Sequence, residues 1–236
     1  MKLSIIVPVY NEEKTIEEVL DRVEKEKIPG VEKEIIVVDD GSTDSTREKL
    51  KKIKAKDITV ILKEQNGGKG SAVRVGIEKA TGDYIIIQDA DLEYHPKYIK
   101  DLVKPILEKK AKVVYGTRLN RMPHLKKEES HHLFILHYFG NRFLSLITSI
   151  LYLQWITDME TCYKLFPKEA LSGIKLDARG FELEPEITAK LSKRGYKIHE
   201  VPITVIPRGY EEGKKINTFR DGYKALKALF KYRFSN

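Results

Sequence analysis

The sequence contains a single cysteine, Cys162, among 236 residues. One cysteine excludes an internal disulfide framework and suits a reducing compartment, so we expect a cytoplasmic protein. The apolar start of the chain is interrupted by Pro8 and predicts no signal peptide. The uncharged core of the most apolar segment, residues 143–157, is 15 residues long. That is short of the ~20 residues that a membrane-spanning helix needs.

Basic residues outnumber acidic ones by 43 to 35, which gives a net charge of +8. Positive charge favours anionic partners such as nucleic acid, anionic lipid or a phosphorylated substrate. A nucleic-acid-binding module would cluster its basic residues with stacking aromatic side chains. Here lysine and arginine are scattered among acidic residues along the predicted helices. We therefore expect no nucleic-acid partner.

Short apolar runs alternate with amphipathic helical patterns through the first half of the chain. The predicted strands cover residues 3–9, 34–38, 58–62, 84–88 and 113–115, and two of the predicted helices cover 70–80 and 97–109. Nearly continuous apolar strands separated by helices are typical of a parallel sheet covered on both faces. The predicted fold class is therefore α/β, with a mostly parallel, Rossmann-like sheet.

The second half changes character after Gly116. Residues 117–132 are polar and predict a loop, whereas residues 133–156 are apolar and aromatic, with a single charge at Arg142. Beyond them, residues 184–193 and 219–232 have helical patterns and residues 197–205 predict an extended segment. The sequence thus predicts a C-terminal helical and extended region that follows the sheet.

Two interpretations of residues 133–156 remain open. The ordinary one is a pair of helices that pack against the rest of the protein. The other is an amphipathic surface that lies in a membrane interface, with Tyr138, Tyr152 and Trp155 at the depth of the lipid headgroups.

Three acidic side chains, Asp89, Asp91 and Glu93, directly follow the predicted strand at residues 84–88. Ligands of α/β sheets bind at the carboxyl ends of strands. Clustered carboxylates repel one another unless a cation neutralises them. Oxygen ligands suit Mg²⁺ or Mn²⁺, which typically also bind substrate phosphates. The pattern predicts a metal–diphosphate site, with a merely solvated acidic cluster as the alternative.

A second acidic pair, Asp39 and Asp40, follows another predicted strand and should lie on the same sheet edge. A carboxylate there can accept hydrogen bonds from a base or ribose. A glycine-rich turn around Lys69 could hold a ribose or phosphate at a helix N-terminus. Gly70 follows Lys69 where a phosphate loop has Ser or Thr, and Val73 replaces the last glycine of the dinucleotide fingerprint. Both departures argue against an ATPase and a dehydrogenase.

Five motifs in order resemble those of family 2 glycosyltransferases. They are Ile-Ile-Val-Pro-Val-Tyr-Asn-Glu at 5–12, Val-Val-Asp-Asp-Gly-Ser-Thr-Asp at 37–44, Asn-Gly-Gly-Lys-Gly-Ser-Ala at 66–72, Gly-Asp-Tyr to Asp-Ala-Asp at 82–91, and Gly-Thr-Arg at 116–118. Looser similarity continues through 158–164, 181–186 and 200–208. Within the family, the chain is most similar to polyprenyl-phosphate hexosyltransferases of the dolichyl-phosphate mannose synthase type. The resemblance implies a GT-A fold and an inverting transfer of a hexose from a nucleotide-sugar, of the GDP-mannose or UDP-glucose type, to a polyprenyl phosphate.

The resemblance also implies roles for individual residues. The donor nucleotide would be bound by Pro8, Tyr10, Glu12, Val37, Asp39, Lys69, Asp89, Ala90 and Asp91. Asp89, Asp91 and Glu93 would hold Mg²⁺ or Mn²⁺, and Arg118, Arg208 and Lys214 would bind the acceptor phosphate. The implied catalytic residues are Asp89, Asp91, Arg118 and Asp158.

The remaining implications concern organisation and partners. Residues 1–120 would form the nucleotide-sugar-binding core, and residues 121–236 the acceptor-side and membrane-interface region of the same catalytic domain. The protein would contact the cytoplasmic face of a membrane peripherally, and a separate membrane subunit is an optional further partner.

Two alternatives share this fold. An ionised phosphate acceptor requires no dedicated base, whereas a saccharide or other hydroxyl acceptor would need one, and Asp158 is the candidate. A nucleotidyltransferase usually has a glycine-rich, arginine-containing loop after the first strand. Residues 8–12 read Pro-Val-Tyr-Asn-Glu instead, which argues against that activity.

Overall fold

The computed structural model describes residues 1–119, 132–206 and 218–235. Its strands are β1 Lys2–Val9, β2 Glu32–Asp39, β3 Ile58–Leu62, β4 Tyr84–Ile87, β5 Val113–Thr117, β6 Lys164–Pro167 and β7 Ile198–Pro202. Its helices are α1 Ile16–Lys25, α2 Thr46–Lys51, α3 Lys69–Lys79, α4 Ile99–Leu107, α5 His132–Tyr152, α6 Leu183–Lys193 and α7 Thr218–Phe234.

The seven strands form one mixed sheet in the order β3-β2-β1-β4-β6-β5-β7. Strands β1 to β4 pair in parallel where they are neighbours, as do β5 and β7. Only β6 among these strands runs antiparallel to both of its neighbours, β4 and β5. The prediction of a mostly parallel α/β sheet is confirmed. The reversed strand β6 was not predicted, because it has four residues and begins with a lysine.

Strand direction places the loops that matter on one edge of the sheet. The parallel strands β1, β2, β4 and β5 all end there, and β6 begins there because it is reversed. The segment 158–163, which precedes β6, therefore lies beside the ends of β4 and β5. Strands from both halves of the chain thus contribute to a single edge.

The central strands are buried on both faces, as their apolar sequences require. Ile5, Ile6, Val37 and Ile86 are all 2% exposed or less. Helix α3 lies so close to β1 that a Cβ atom at Gly76 would stand 2.4 Å from Cγ2 of Ile6. The close packing of α3 fixes its first residue, Lys69, relative to the sheet edge.

Residues 132–152 form one helix, α5, rather than the pair of helices that the ordinary interpretation predicted. Its inner side packs with α7, where Leu144 joins Met159, Ala225 and Leu229 in a small second core. Its outer side carries an apolar stripe. The stripe consists of Phe139, Phe143, Leu146 and Ile150 on the helix and Leu153 just after its end, which are 57%, 57%, 47%, 64% and 81% exposed.

The three aromatic residues expected at headgroup depth do not share one environment. Tyr138 is buried, so its predicted place at the surface is wrong. The Tyr152 hydroxyl donates a hydrogen bond of 2.9 Å to the Leu229 carbonyl. Only Trp155 of the three is largely exposed, at 69%. Within the described ranges, no helix combines the length and the hydropathy needed to cross a bilayer.

Candidate active site

The glycine-rich turn is tied to the end of β2 by Asp40. Its carboxylate accepts hydrogen bonds from the backbone N–H groups of Gly67 at 3.1 Å and Gly68 at 2.7 Å, and it pairs with the Lys63 ammonium. The sequence analysis placed Asp39, not Asp40, in the donor site. The structure shows that Asp40 has a positioning role, since it holds the turn from which α3 begins.

Two glycines of this turn have no room for a side chain. Gly68 has φ +86°, and a Cβ there would lie 2.3 Å from the carbonyl oxygen of Arg179. A Cβ at Gly70 would lie 2.2 Å from the carbonyl oxygen of Ala178. The Gly70 N–H also donates to the Arg179 carbonyl at 2.8 Å. Glycine is therefore required by the close approach of residues 178–179 as well as by the backbone conformation.

Asp39 lies fully buried at the base of the neighbouring loop. It accepts a hydrogen bond from the Ser42 N–H at 3.3 Å, and the Arg47 Nε atom lies 3.3 Å from it. Parallel register places Val9 opposite Asp39, so the residues that follow β1 adjoin the same loop. Glu12, also buried, accepts a hydrogen bond of 2.9 Å from the Thr15 hydroxyl.

The residues predicted to bind the base and ribose therefore lie next to one another, but their side chains differ in how deeply they are buried. Pro8 and Tyr10 are half-buried, whereas the Val37 side chain is fully buried inside the sheet. Val37 therefore supports the site from below and does not present its side chain to a ligand in this structure.

Lys69 connects the two halves of the site. Its ammonium lies 2.8 Å from Oδ1 of Asp89 and 3.2 Å from Oε1 of Glu184. Burial alone would lower the pKa of the Lys69 ammonium, but the adjacent Asp89 carboxylate raises it well above its ordinary value. Lys69 is thus firmly cationic at the point where a donor phosphate was predicted.

The acidic tip of β4 is only partly arranged for a metal ion. Asp89 pairs with Lys69, while the Asp91 carboxylate accepts a hydrogen bond of 3.1 Å from the Glu93 N–H. Among the described residues, no three His, Cys, Asp or Glu side chains converge as a ready-made metal site. Mg²⁺ commonly uses only one or two carboxylates together with substrate phosphates. Half-buried Asp91 and Glu93 fit that requirement.

Arg118 and Asp158 form a buried ion pair at the end of β5. The Arg118 side chain donates through Nε and Nη2 to the two oxygens of Asp158, both at 2.7 Å. The Arg118 backbone N–H donates to the same carboxylate at 2.9 Å. Asp158 is fully buried, and Arg118 also lies over the Tyr94 ring. This carboxylate is engaged as an acceptor and is poorly placed to remove a proton from a substrate.

A second buried pair, Lys164 and Glu184, was missed in the sequence analysis. The Lys164 ammonium is fully buried, 2.7 Å from Oε2 of Glu184, and donates to the Met159 carbonyl at 2.9 Å. Because Glu184 also contacts Lys69, the two pairs form one continuous chain of charges beneath the site. A lysine in a four-residue apolar strand was the available signal, since a charge is buried there only with a partner.

Arg208 and Lys214, predicted to bind the acceptor phosphate, lie outside the described residues. Ala90, which was predicted to contact the donor, is buried between Asp89 and Asp91 in the chain. The structure therefore brings together the predicted donor residues and Arg118 on one sheet edge, and adds Asp40, Lys164 and Glu184 to them.

The sequence model of the family described as glycosyl transferase family 2 matches residues 4–174 of this chain. Of the site residues named above within the described ranges, Glu184 lies outside that match. The chain belongs to that family. This glycosyltransferase shares 31% identity over 220 residues with dolichol-phosphate mannosyltransferase of Pyrococcus furiosus, covering 91% of this chain and 59% of that protein. It shares 29% identity over 250 residues with UDP-N-acetylglucosamine–dolichyl-phosphate N-acetylglucosaminyltransferase of Methanococcus voltae, covering 94% of each. An uncharacterized protein of Methanocaldococcus jannaschii is 33% identical over 230 residues, covering 95% of this chain and 89% of that protein.

Solved structures share the fold of this family 2 glycosyltransferase. Glucosyl-3-phosphoglycerate synthase from Mycobacterium tuberculosis, in complex with Mn²⁺ and UDP-glucose, matches with a TM-score of 0.74 and 22% identity, covering 98% of this chain and 78% of that one. The same enzyme with Mn²⁺, UDP and phosphoglyceric acid matches with a TM-score of 0.71 and 22% identity, covering 100% and 79%. At this identity the likeness supports the fold alone, and it confirms the predicted GT-A architecture.

Proposed function

We propose that this glycosyltransferase moves a hexose from a nucleotide-sugar to a polyprenyl phosphate, with inversion at the anomeric carbon. The observation that carries the proposal is the Arg118–Asp158 pair. A hydroxyl acceptor must lose a proton, and both oxygens of the candidate base Asp158 are occupied by Arg118. A phosphate acceptor is already ionised and needs a cation instead, which Arg118 supplies.

The donor side supports a nucleoside diphosphate. In this proposal the residues after β1 would supply hydrogen-bond acceptors for a base and ribose, the buried Asp39 would hold the adjoining loop through Ser42 and Arg47, and Lys69 would supply a cation for the diphosphate. The structural neighbours bind UDP with Mn²⁺ or Mg²⁺, which agrees with this arrangement. In this proposal Asp91 and Glu93 would hold the Mg²⁺ or Mn²⁺, and the ion would supply positive charge to stabilise the departing diphosphate.

In the proposed reaction, Arg118 and Asp158 position the acceptor phosphate for transfer. Asp158 fixes the plane of the Arg118 guanidinium by two hydrogen bonds, which leaves Nη1 to bind an acceptor phosphate. A phosphate oxygen attacks the anomeric carbon from the side opposite the diphosphate. The bond from that carbon to the diphosphate oxygen breaks, and the electron pair leaves on the nucleoside diphosphate. No proton transfer to the protein is needed.

The apolar stripe on α5 supports a peripheral membrane contact. Phe139, Phe143, Leu146 and Ile150 recur at intervals of four and three residues, so they lie along one face of the helix, and Leu153 follows directly after its end. Exposed apolar faces of this kind mark membrane or protein contacts. A polyprenyl chain resides in the bilayer, so an enzyme that uses it must approach the membrane surface, here the cytoplasmic face. Neither the described contacts nor the relatives' names point to a separate membrane subunit, and we do not include one.

An acceptor screen tests the proposal. The purified protein is incubated with Mg²⁺ or Mn²⁺ and GDP-mannose, UDP-glucose or UDP-N-acetylglucosamine, with a short polyprenyl phosphate, with saccharides, or with neither. We expect release of nucleoside diphosphate to rise with polyprenyl phosphate and glycosylated lipid to accumulate. Stimulation by a saccharide but not by polyprenyl phosphate would replace the proposal with the hydroxyl-acceptor alternative.

Arg118→Lys provides the residue-level test, since it retains the charge but removes the planar fork. We expect at least a tenfold loss of transfer to polyprenyl phosphate, with donor binding measured by calorimetry nearly unchanged. Arg22→Lys, on the exposed surface of α1, is the matched control. A thermal melt of each variant separates loss of the acceptor contact from loss of the fold.

A further inference from the structure

Two neighbouring polar atoms beside Asp158 are buried and lack a hydrogen-bond partner among the described residues. They are Oε1 of Glu160 and Oγ1 of Thr161. Buried polar atoms are nearly always hydrogen-bonded, and leaving one unpaired costs stability. Two adjacent exceptions in a segment that lies along the active-site edge indicate that a ligand completes their bonding.

The described hydrogen bonds of the cations near Glu160 go to other groups. The Lys164 ammonium is bonded to Glu184 and to the carbonyls of Met159 and Thr161. Arg118 is held by Asp158 through its fork, as described above. Glu160 therefore has charged neighbours, but none of the described residues donates a hydrogen bond to its Oε1 atom.

The burial of Glu160 affects its ionisation as well. Desolvation raises the pKa of its carboxyl to about 7, a shift that nearby Glu184 and Asp158 strengthen and that Lys164 and Arg118 weaken. The group can thus accept a hydrogen bond when ionised and donate one when protonated. Either form suits a neutral polar partner.

The chemistry of the two side chains limits what that partner can be. A carboxylate repels phosphate, so Glu160 does not fit the donor diphosphate or the acceptor phosphate. A sugar hydroxyl fits, because it can donate to a carboxylate and can also exchange a hydrogen bond with the Thr161 hydroxyl.

We propose that Glu160 and Thr161 form the hexose subsite and select the transferred sugar by binding its hydroxyl groups. The inference rests on the proposed function for the presence of a nucleotide-sugar, but not on the identity of the acceptor. A site that is built to hydrogen-bond a hydroxyl rejects an analogue that lacks it, because the buried polar groups are then left unpaired. Glu160 and Thr161 would therefore discriminate between sugars, and not between nucleotides.

Calorimetry without an acceptor tests the subsite directly. Wild type, Glu160→Gln, Thr161→Val and the exposed control Glu48→Gln are titrated with UDP-glucose, GDP-mannose, UDP and GDP, and with deoxy analogues of whichever nucleotide-sugar binds. We expect Glu160→Gln and Thr161→Val each to weaken binding of the nucleotide-sugar by about tenfold, with binding of the nucleoside diphosphate unchanged. One deoxy donor should bind wild type weakly and show no further loss in the variant whose partner hydroxyl it lacks.

The other outcomes overturn the inference. Equal loss with every deoxy donor, equal loss with the free nucleoside diphosphate, or no loss at all would each exclude a hydroxyl contact. If wild type binds a nucleotide-sugar and the variants bind it equally well, only the subsite fails. If wild type binds no nucleotide-sugar, the proposed function and the subsite fail together. Glutamine has nearly the same shape as glutamate and removes a buried charge, so the variant should fold, and a thermal melt verifies that it does.

Discussion

The donor side of the sheet edge and the segment 158–163 differ in how completely their polar groups are paired. On the donor side, Asp40 holds the glycine turn and Asp89 holds Lys69. In the second segment, Glu160 and Thr161 each present a buried atom without a described partner. The comparison teaches that one part of the edge is organised before any ligand arrives, whereas the other is completed by what it binds.

The largest effect is expected where the organised side meets the diphosphate. Asp91→Ala should lower turnover by ~10²-fold or more, because in the proposed function Asp91 holds the metal together with Glu93. Asp101→Ala, an exposed acid in the first turn of α4, is the control. Steady-state rates with increasing Mg²⁺ or Mn²⁺ measure the loss. Full turnover in Asp91→Ala, or in wild type treated with chelator, would contradict the metal assignment.

The next prediction compares a buried ion pair with a surface one. Among the described residues, Lys164→Met leaves Glu184 with the more distant Lys69 as its one cation, and it should destabilise the fold by about 3 kcal/mol. Arg22→Met removes the exposed pair with Glu18 and should change stability by less than ~1 kcal/mol. Urea unfolding of both variants measures the difference. Equal effects would show that the buried chain of charges has no structural role.

A smaller effect concerns the pH dependence of stability. The pKa of Glu160 is raised from 4.5 in the unfolded chain to about 7 in the folded protein, so between these values the folded state binds the proton that the unfolded state has lost. The contribution of Glu160 to the free energy of unfolding is therefore most favourable at low pH, and it is lost as pH rises from about 4.5 to about 7. Glu160→Gln should lack this loss and be more stable than wild type at pH 8 by ~1–3 kcal/mol.

Urea unfolding at pH 5 and pH 8 is the measurement for that prediction. The gap between Glu160→Gln and wild type should be wider at pH 8 than at pH 5. Glu48→Gln corrects for changes in surface charge. A gap that is independent of pH would mean that Glu160 is solvated in the native state, and the contrast with the donor side would disappear.

The smallest effect is expected on the apolar stripe. Ile150→Ser removes one exposed side chain and should weaken co-sedimentation with anionic liposomes several-fold, which corresponds to ~1 kcal/mol. Folding stability should stay within ~0.5 kcal/mol of wild type because the side chain is mostly exposed. Leu107→Ser, an exposed apolar residue on α4, should leave liposome binding unchanged. Equal binding by both variants would contradict a membrane role for the stripe.

Sequence reasoning succeeded best where the candidate site residues directly follow a strand in the chain. Strand β4 runs directly into Asp89 and Asp91, so alternation and spacing sufficed to place them on the sheet edge. It failed where partners are distant in sequence. Lys164 and Glu184 are 20 residues apart and come into contact only when the chain folds. The lack of a described hydrogen-bond partner for Glu160 Oε1 likewise arises only in the folded protein.

The apolar segment around α5 shows a second limit of sequence reasoning. The length and composition of residues 133–156 indicated an apolar region, but not which face of the helix would be exposed. The packing of α7 decides that, since it covers Leu144 and leaves Phe143 and Ile150 outside. The roles of the site residues and the division at residue 120 stay predictions.

The bond from Gly70 to Arg179 has a consequence for how the protein is made. The glycine turn is held by residues more than 100 positions later in the chain, through that bond and through Arg74, which donates to the Ala178 carbonyl. Contacts between such distant residues close large loops and form slowly. During synthesis, a nascent chain that has emerged only as far as β5 lacks residues 178–179, against which Gly68 and Gly70 pack. In the proposed function, the donor site would therefore be complete only after these residues have been translated.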